Sequence, residues 1–220
     1  MRRRAIVIVA VICLLLSTTA FGKDFKNPVK QPGIDIKTIE LLLKRGQVLI
    51  VETNAEGRPK LTTGGILINA PKEKVWDVIS DFEQYKEYMP STENVEVIRR
   101  EGNTVDAKFH IIFKFSVLEY DVSYTNRHVL NAPNGYTWEL LEGDIDDTYG
   151  GWELIAIDDS HTAAFYSVYS DIRSIGWVVR KVLESDPSFE VAVNSSTVIL
   201  VLEKVKERIE NPEKSSGGSK

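Results

Sequence analysis

The chain has 220 residues and a formal net charge of −5, with 43% hydrophobic and 27% charged residues. These proportions exclude a disordered chain and leave room for one domain with a sizeable core. The acidic balance repels phosphate backbones, so nucleic acid is not an expected partner.

The first element is a leader. Arg2, Arg3 and Arg4 precede twelve unbroken apolar residues, Ala5 to Leu16, and then the small-residue pattern Ala20-Phe21-Gly22. A charged start, an apolar middle and small residues at the cut predict a signal peptide over 1–22, cleaved after Ala20 or Gly22. Twelve apolar residues fall short of the ~20 that span a bilayer, so an N-terminal membrane anchor is the minor alternative. Removing the three arginines lowers the basic count from 27 to 24 against 32 acidic residues, a balance of −8. Cys13, the only cysteine, leaves with the leader. The exported part, periplasmic or secreted, must then be held by packing rather than disulfides.

Residues 23–61 form an N-terminal extension. It starts with an extended lead-in to residue 34 and continues in a short helix, 35–46. Asp35 is the expected cap, with Ile39, Leu42 and Leu43 on one face. "QVLIVET" and "KLTTGGILINA" flank "NAEGRP" as a hairpin. "VWDVISDFEQYKEYMP" (75–90) predicts two short helices, the second started by a capping box of Asp81 and Gln84 and stopped by Pro90. Tyr85, Tyr88 and Met89 share a face of that second helix.

About six antiparallel strands follow. The clearest is 105–117, where Val105, Ala107, Phe109, Ile111, Phe113, Phe115 and Val117 alternate with polar residues such as His110. The next strands place Tyr120 and Tyr124, then Tyr136 and Trp138, then Trp152 on the same face; 161–172 is the last strand. Residues 174–185 read as a short helix. A long helix over 187–210 has Pro187 in its first turn and Val198, Val201, Leu202, Val205 and Ile209 at helical spacing. Residues 211–220 are a disordered tail. A curved sheet with one apolar face needs a lid, and only the last helix is large enough.

The segment "INAPKEKVWDVISDFEQYKEYMPSTENVEVI" resembles the opening motif of the START-like (SRPBCC) superfamily, in its polyketide cyclase and coenzyme Q-binding START-domain branch. The likeness rests on Ala70-Pro71, Val75-Trp76, Asp81, Tyr85 and Pro90, and later on Trp152 in "GDIDDTYGGWELIAIDDSHTAAFYSVYSD". It covers residues 62–210. It implies an α+β, helix-grip (START-like/Bet v 1-like) fold with a deep apolar cavity that takes lipids, sterols, quinones or polyketides.

The candidate ligand-binding residues are Trp76, Tyr85, Tyr88 and Met89 on the small helices. Phe109, Ile111, Phe113, Tyr120 and Tyr124 come from the first long strand pair, Tyr136, Trp138 and Trp152 from the next strands, and Asn194 and Val198 from the last helix. Asn194 also starts an "NSS" acceptor pattern for glycosylation. His110, His128 and His161 lie on different strands without metal-ligand spacing, so neither a metal nor another cofactor is expected. His128 shares the parity of Tyr120, Val122, Tyr124 and Asn126, which allows it to face the cavity near the strand's end, but a half-exposed strand-end histidine is the favoured reading. Glu142, Asp144, Asp146 and Asp147 read as a solvated turn, Gly150-Gly151 as a bulge, and Arg173 and Arg180 as surface residues with an anionic headgroup as their other use.

Two functions remain open, beside a third in which the cavity is filled in and the domain is a protein-binding module. One is an exported, non-enzymatic binder of a hydrophobic small molecule (a lipid, isoprenoid quinone or polyketide-like compound), with transient membrane contact during exchange. The other is an enzyme similar to polyketide cyclases and dehydratases, using His128 with Tyr124 or Tyr120 as an acid–base pair. The oligomeric state is not legible.

Overall fold

The computed structural model describes residues 35–115 and 117–212. The expected signal peptide, the lead-in to residue 34 and nearly all of the tail lie outside the described residues. Helix α1 (Ile36–Leu43) starts where Asp35 accepts from the Thr38 amide at 2.8 Å. It buries Ile39 and Leu43 but leaves Leu42 half exposed, because an eight-residue helix laid on a sheet hides only a narrow stripe.

Strands β1 (Val48–Thr53) and β2 (Pro59–Ile68) form the expected hairpin. The strands β3 (Thr92–Glu101), β4 (Thr104–Phe115), β5 (Leu118–Asn131), β6 (Gly135–Gly143), β7 (Thr148–Asp158) and β8 (His161–Ser170) follow as a meander. All eight join one antiparallel sheet in the order β1-β2-β8-β7-β6-β5-β4-β3. The first hairpin thus extends the sheet beyond β8 rather than standing apart. Register shifts at Val97/Arg99, Thr125/Asn126 and Ala156/Asp158 interrupt the ladders, and such irregularities bend a sheet.

Helix α4 (Trp177–Ser185) leads into α5 (Pro187–Glu210), whose first turn is capped by Asp186 accepting from the Ser188 amide. Its 24 residues are about 36 Å long, enough to lie along the sheet. Val198, Leu202, Val205 and Ile209 are almost fully buried, each worth about 1.5–3 kcal/mol by apolar burial. Two consecutive glycines of β2 set the spacing. A side chain at Gly64 would run into Val198 and Leu202 of α5, and one at Gly65 would meet Phe165 and Leu43 on the other face. One strand therefore receives α5 on its inner face and Phe165 with α1 on its outer face.

Between β2 and β3 run α2 (Lys72–Ile79), a single 3-10 turn (Phe82–Gln84) and α3 (Tyr85–Tyr88). The capping box expected of Asp81 and Gln84 does not form, since Asp81 makes no side-chain cap bond. Instead two tyrosines reach back to the end of α2. The Tyr85 hydroxyl donates to the Ile79 carbonyl at 2.5 Å and the Tyr88 hydroxyl to the Val78 carbonyl at 2.9 Å. These are the carbonyls a helix end leaves without partners. Met89 falls beyond α3 in extended backbone, so it does not share a helical face with the tyrosines. The whole is an open curved sheet gripping a long C-terminal helix, the helix-grip architecture expected.

Candidate functional site

Between the inner face of the sheet and α5 lies a cavity of about 240 Å³. Its walls follow from the period-two alternation. Phe109, Ile111 and Phe113 of β4, Tyr124, Asn126 and His128 of β5, and Tyr136 and Trp138 of β6 all point inward. Trp152 of β7, Tyr166 and Val168 of β8, and Asn194 and Val201 of α5 complete the interior. Exposed or half-exposed lining residues mark the rim, among them Met89, Pro90, Ser91, Thr197 and Leu200. Among the described residues that line it, none is Lys, Arg, Asp or Glu.

The rings hold one another. Phe109 stacks on Tyr124 at 5.4 Å between centroids, and Trp138 stacks on Tyr166 at 5.6 Å. Gly150 does not mark a bulge: it pairs in register with Val168, and its missing side chain makes room for the Trp138 indole. At the deep end the Tyr136 ring packs against those of Trp76, Phe82 and Trp138. The Tyr136 and Tyr85 hydroxyls are 2.6 Å apart. Because Tyr85 gives its own proton to Ile79, Tyr136 must donate to Tyr85. Burial pushes the Tyr85 and Tyr136 phenols well above their ordinary range and lifts Tyr124 to about 12, so all three are neutral.

His128 corrects the expectation of a half-exposed ring, being only 2% exposed. Phe82, a residue the sequence pattern did not single out, lies 4.5 Å from it and 5.5 Å from both Tyr85 and Tyr136. Desolvation lowers the His128 pKa to about 4. Its Nδ1 lies 3.3 Å from the Val105 carbonyl oxygen, which places the single proton of the neutral ring there.

The candidate acid–base pair is not assembled. Tyr124 stands four residues from His128 on β5, about 13 Å along the strand, and Phe109 packs against both rings. Tyr120 is farther still and does not line the cavity; it packs behind the lining residues Phe113 and Ile172, against Val179 and Leu183. Three other expected lining residues also stand elsewhere. Trp76 is half buried and meets Tyr136 edge-on at 6.5 Å, Tyr88 lies under Arg208, and Val198 fills the contact with Gly64. The remaining ten line the cavity: Tyr85, Met89, Phe109, Ile111, Phe113, Tyr124, Tyr136, Trp138, Trp152 and Asn194.

Asn194 is 5% exposed and its Nδ2 donates to the Glu190 carbonyl, so the acceptor Asn of the "NSS" pattern is buried. Arg173 is engaged by Asp171 and Glu190, and Arg180 donates to the Arg173 carbonyl, so neither faces the cavity. Tyr166, Thr148, Ser170 and Asn126 line the cavity without having been singled out from the sequence. The alternation of Ala164, Tyr166 and Val168 on β8 carried the signal for Tyr166. Among the described residues, the histidines join no group of three or more potential metal ligands.

A family model described as polyketide cyclase / dehydrase and lipid transport matches residues 68–208. Three similar solved structures have TM-scores just above 0.5. The protein TTHA0849 from Thermus thermophilus is 21% identical, over 69% of this chain and 98% of that one, with a TM-score of 0.53. The Zhui aromatase/cyclase from a Streptomyces species is 20% identical over 73% and 99%, also at 0.53. A STAR-related lipid transfer protein (fragment 25–204) from Xanthomonas axonopodis is 16% identical over 76% and 99%, at 0.52. At these identities the likeness establishes the fold. No curated protein matches the sequence.

Proposed function

Because the chain belongs to the polyketide cyclase / dehydrase and lipid transport family, we propose that it is a non-enzymatic binder of a hydrophobic small molecule. The ligand is a lipid, an isoprenoid quinone or a polyketide-like compound, held under α5. The observation that carries this is the cavity itself: aromatic walls, no charged lining residue among those described, and a single inward histidine held neutral. Apolar burial at ~25 cal/mol per Å² supplies the affinity in such a site, and a few polar groups orient the ligand. The volume, about 240 Å³, is just below the ~300–1,000 Å³ of ordinary small-molecule pockets. A two- or three-ring body fits it, whereas a long isoprenoid tail would need the small helices and the rim of α5 to move apart.

A cyclase-like activity has less support. A general base works best with a pKa near the ambient pH, and a ring at about 4 is too weak to abstract a carbon-bound proton efficiently at neutral pH.

Export rests on the order of residues 1–22, and exchange at a membrane on exposed apolar groups at the sheet end. Val117, at the β4–β5 turn, is 91% exposed and Trp177 is 77% exposed. Gly176, next to Trp177, lies against the Tyr120 ring of β5, which ties both groups to one end of the molecule. Native mass spectrometry with solvent extraction, on protein purified from its own host, tests these points together. The expected result is a reproducible hydrophobic adduct on a chain lacking residues 1–20 or 1–22. A chain repeatedly empty would overturn the binding function, and an intact leader would overturn export by cleavage.

A further inference from the structure

Helix α4 lies behind one end of the cavity, and none of its residues lines it. Its buried stripe is narrow. Val179 and Leu183 are fully buried, whereas Trp177, Arg180, Lys181, Glu184 and Ser185 are exposed. Those two apolar residues pack behind Phe113, Ile172, Ile175 and Val193, which are themselves cavity wall. Single residues in extended backbone join α4 to its neighbours, Gly176 (φ −176°) before it and Asp186 (φ −153°) after it. A short helix between two such joints can pivot as a unit, because a few element-terminal residues suffice to absorb a hinge motion.

What holds α4 down comes from the turn between β1 and β2. Arg58 Nη1 donates to the Leu183 carbonyl at 3.2 Å and to Glu190 Oε2 at 3.1 Å. Leu183 carries one of the last carbonyls of α4, which a helix leaves without partners, and Glu190 stands in the first turn of α5. One guanidinium therefore caps α4 and pins it to α5. Glu190 is only 1% exposed. Without Arg58 its carboxylate would keep only Arg173, 3.8 Å away on the other oxygen and shared with Asp171. The turn is shaped to present Arg58, since Asn54 Oδ1 accepts from the Glu56 and Arg58 amides at 3.0 and 2.9 Å. Arg58 belongs to the N-terminal extension, ahead of the family domain at residues 68–208.

We propose that α4 is a lid over this end of the cavity and that Arg58 is its latch. The use of the lid rests on the cavity being the ligand site, whereas the latch can be measured without a ligand. With α4 down, the cavity of about 240 Å³ holds a compact ring. With α4 raised, Phe113, Ile172, Ile175 and Val193 lose their backing, and a tail can also pass out at this end. The lid thus governs ligands longer than the closed cavity and matters little to a ring that leaves by the rim.

Hydrogen exchange of the ligand-free full chain tests the latch. Arg58→Ala should raise exchange of the amides in 178–185 about tenfold and leave those of 198–209 and of β4–β6 unchanged. A general loss of stability would raise all of them together. Arg58→Lys keeps the charge as a compact ammonium on a shorter side chain, and should give an intermediate rise. If Arg58→Ala does not fold, Arg58→Lys decides. Unchanged exchange in 178–185, or an equal rise in 198–209, would overturn the latch. Stopped-flow release of naphthol and of dodecylnaphthol tests the lid. Arg58→Ala should quicken release of the tailed probe about tenfold and that of naphthol by less than about twofold. Equal quickening of both would overturn the lid. If neither probe binds, the binding function and the lid fall together, while exchange in 178–185 still decides the latch.

Discussion

The deep end and the rim of the cavity are made of different materials. Deep in the fold, Phe82, Tyr85, His128 and Tyr136 press on one another at centroid distances of 4.5–5.5 Å, and a hydrogen-bond chain runs from Tyr136 through Tyr85 to the end of α2. At the rim, Met89, Pro90, Ser91, Thr197 and Leu200 are half or fully exposed. The first arrangement loses packing and polar partners if any ring moves. The second can shift at little cost, because exposed groups exchange protein contacts for water. Under the proposed function, a ligand would be held against a fixed floor and exchanged through a yielding rim.

Phe82→Ala should break the floor most severely. The ring is fully buried among three others, so its loss leaves a cavity that the hydrogen-bonded tyrosines cannot collapse to fill. A loss of about 3–5 kcal/mol in denaturant unfolding is expected. A change below ~1 kcal/mol would show that the floor relaxes as readily as the rim.

The pH dependence is the next largest effect. The His128 pKa is about 4 in the folded protein, below the ~6.5 of an unfolded histidine. Above pH ~6.5 both states are neutral and the full contribution is present. Between about 6.5 and 4 the unfolded chain holds more protons, so stability falls as pH falls, by up to ~1.4 kcal/mol per unit. Other carboxylates titrate in the same range, so the difference from His128→Phe isolates the ring. Wild type should lose about 3 kcal/mol more than the variant between pH ~7 and pH ~4. Equal losses would mean that His128 is hydrated, and that the floor is not dry.

The same contrast explains what the sequence revealed. Strict alternation from Val105 to Phe113 showed which residues face inward, although Val117, the last of the same run, lies in the β4–β5 turn and is 91% exposed. Pro187 with the Val198-to-Ile209 spacing showed the helix that covers them. Facing inward is not the same as lining the cavity, however. Tyr120 has the right parity but packs into the cluster of Ile172, Val179 and Leu183 instead of lining the cavity. Val198 is inward but is consumed by contact with Gly64. The burial of His128 depends on Phe82, 46 positions away in sequence. Such features need register and tertiary contacts that periodicity does not carry. The tyrosines of 75–90 were legible as an aromatic stripe, but their use as hydroxyl caps on the last carbonyls of α2 was not, since a helix C-terminus is usually sought in Gly, Asn or a basic residue.

Leu200→Ser should give the smallest effect on stability and the clearest on exchange. Leu200 is 50% exposed on α5 and lines the rim, so most of its surface already meets water. Surface substitutions of this kind change stability by about 0.5 kcal/mol or less. A bound ring loses an apolar neighbour where it leaves the cavity, and the barrier to departure falls while the floor is untouched. Stopped-flow release of naphthol should therefore quicken several-fold, with the denaturation midpoint nearly unchanged. Phe82→Ala should do the reverse in proportion, costing far more stability for each unit of change in release rate. If Leu200→Ser instead destabilised the fold on the scale of Phe82→Ala, the rim would be as integral to the structure as the floor. Exchange would then require a larger opening of α5 from the sheet.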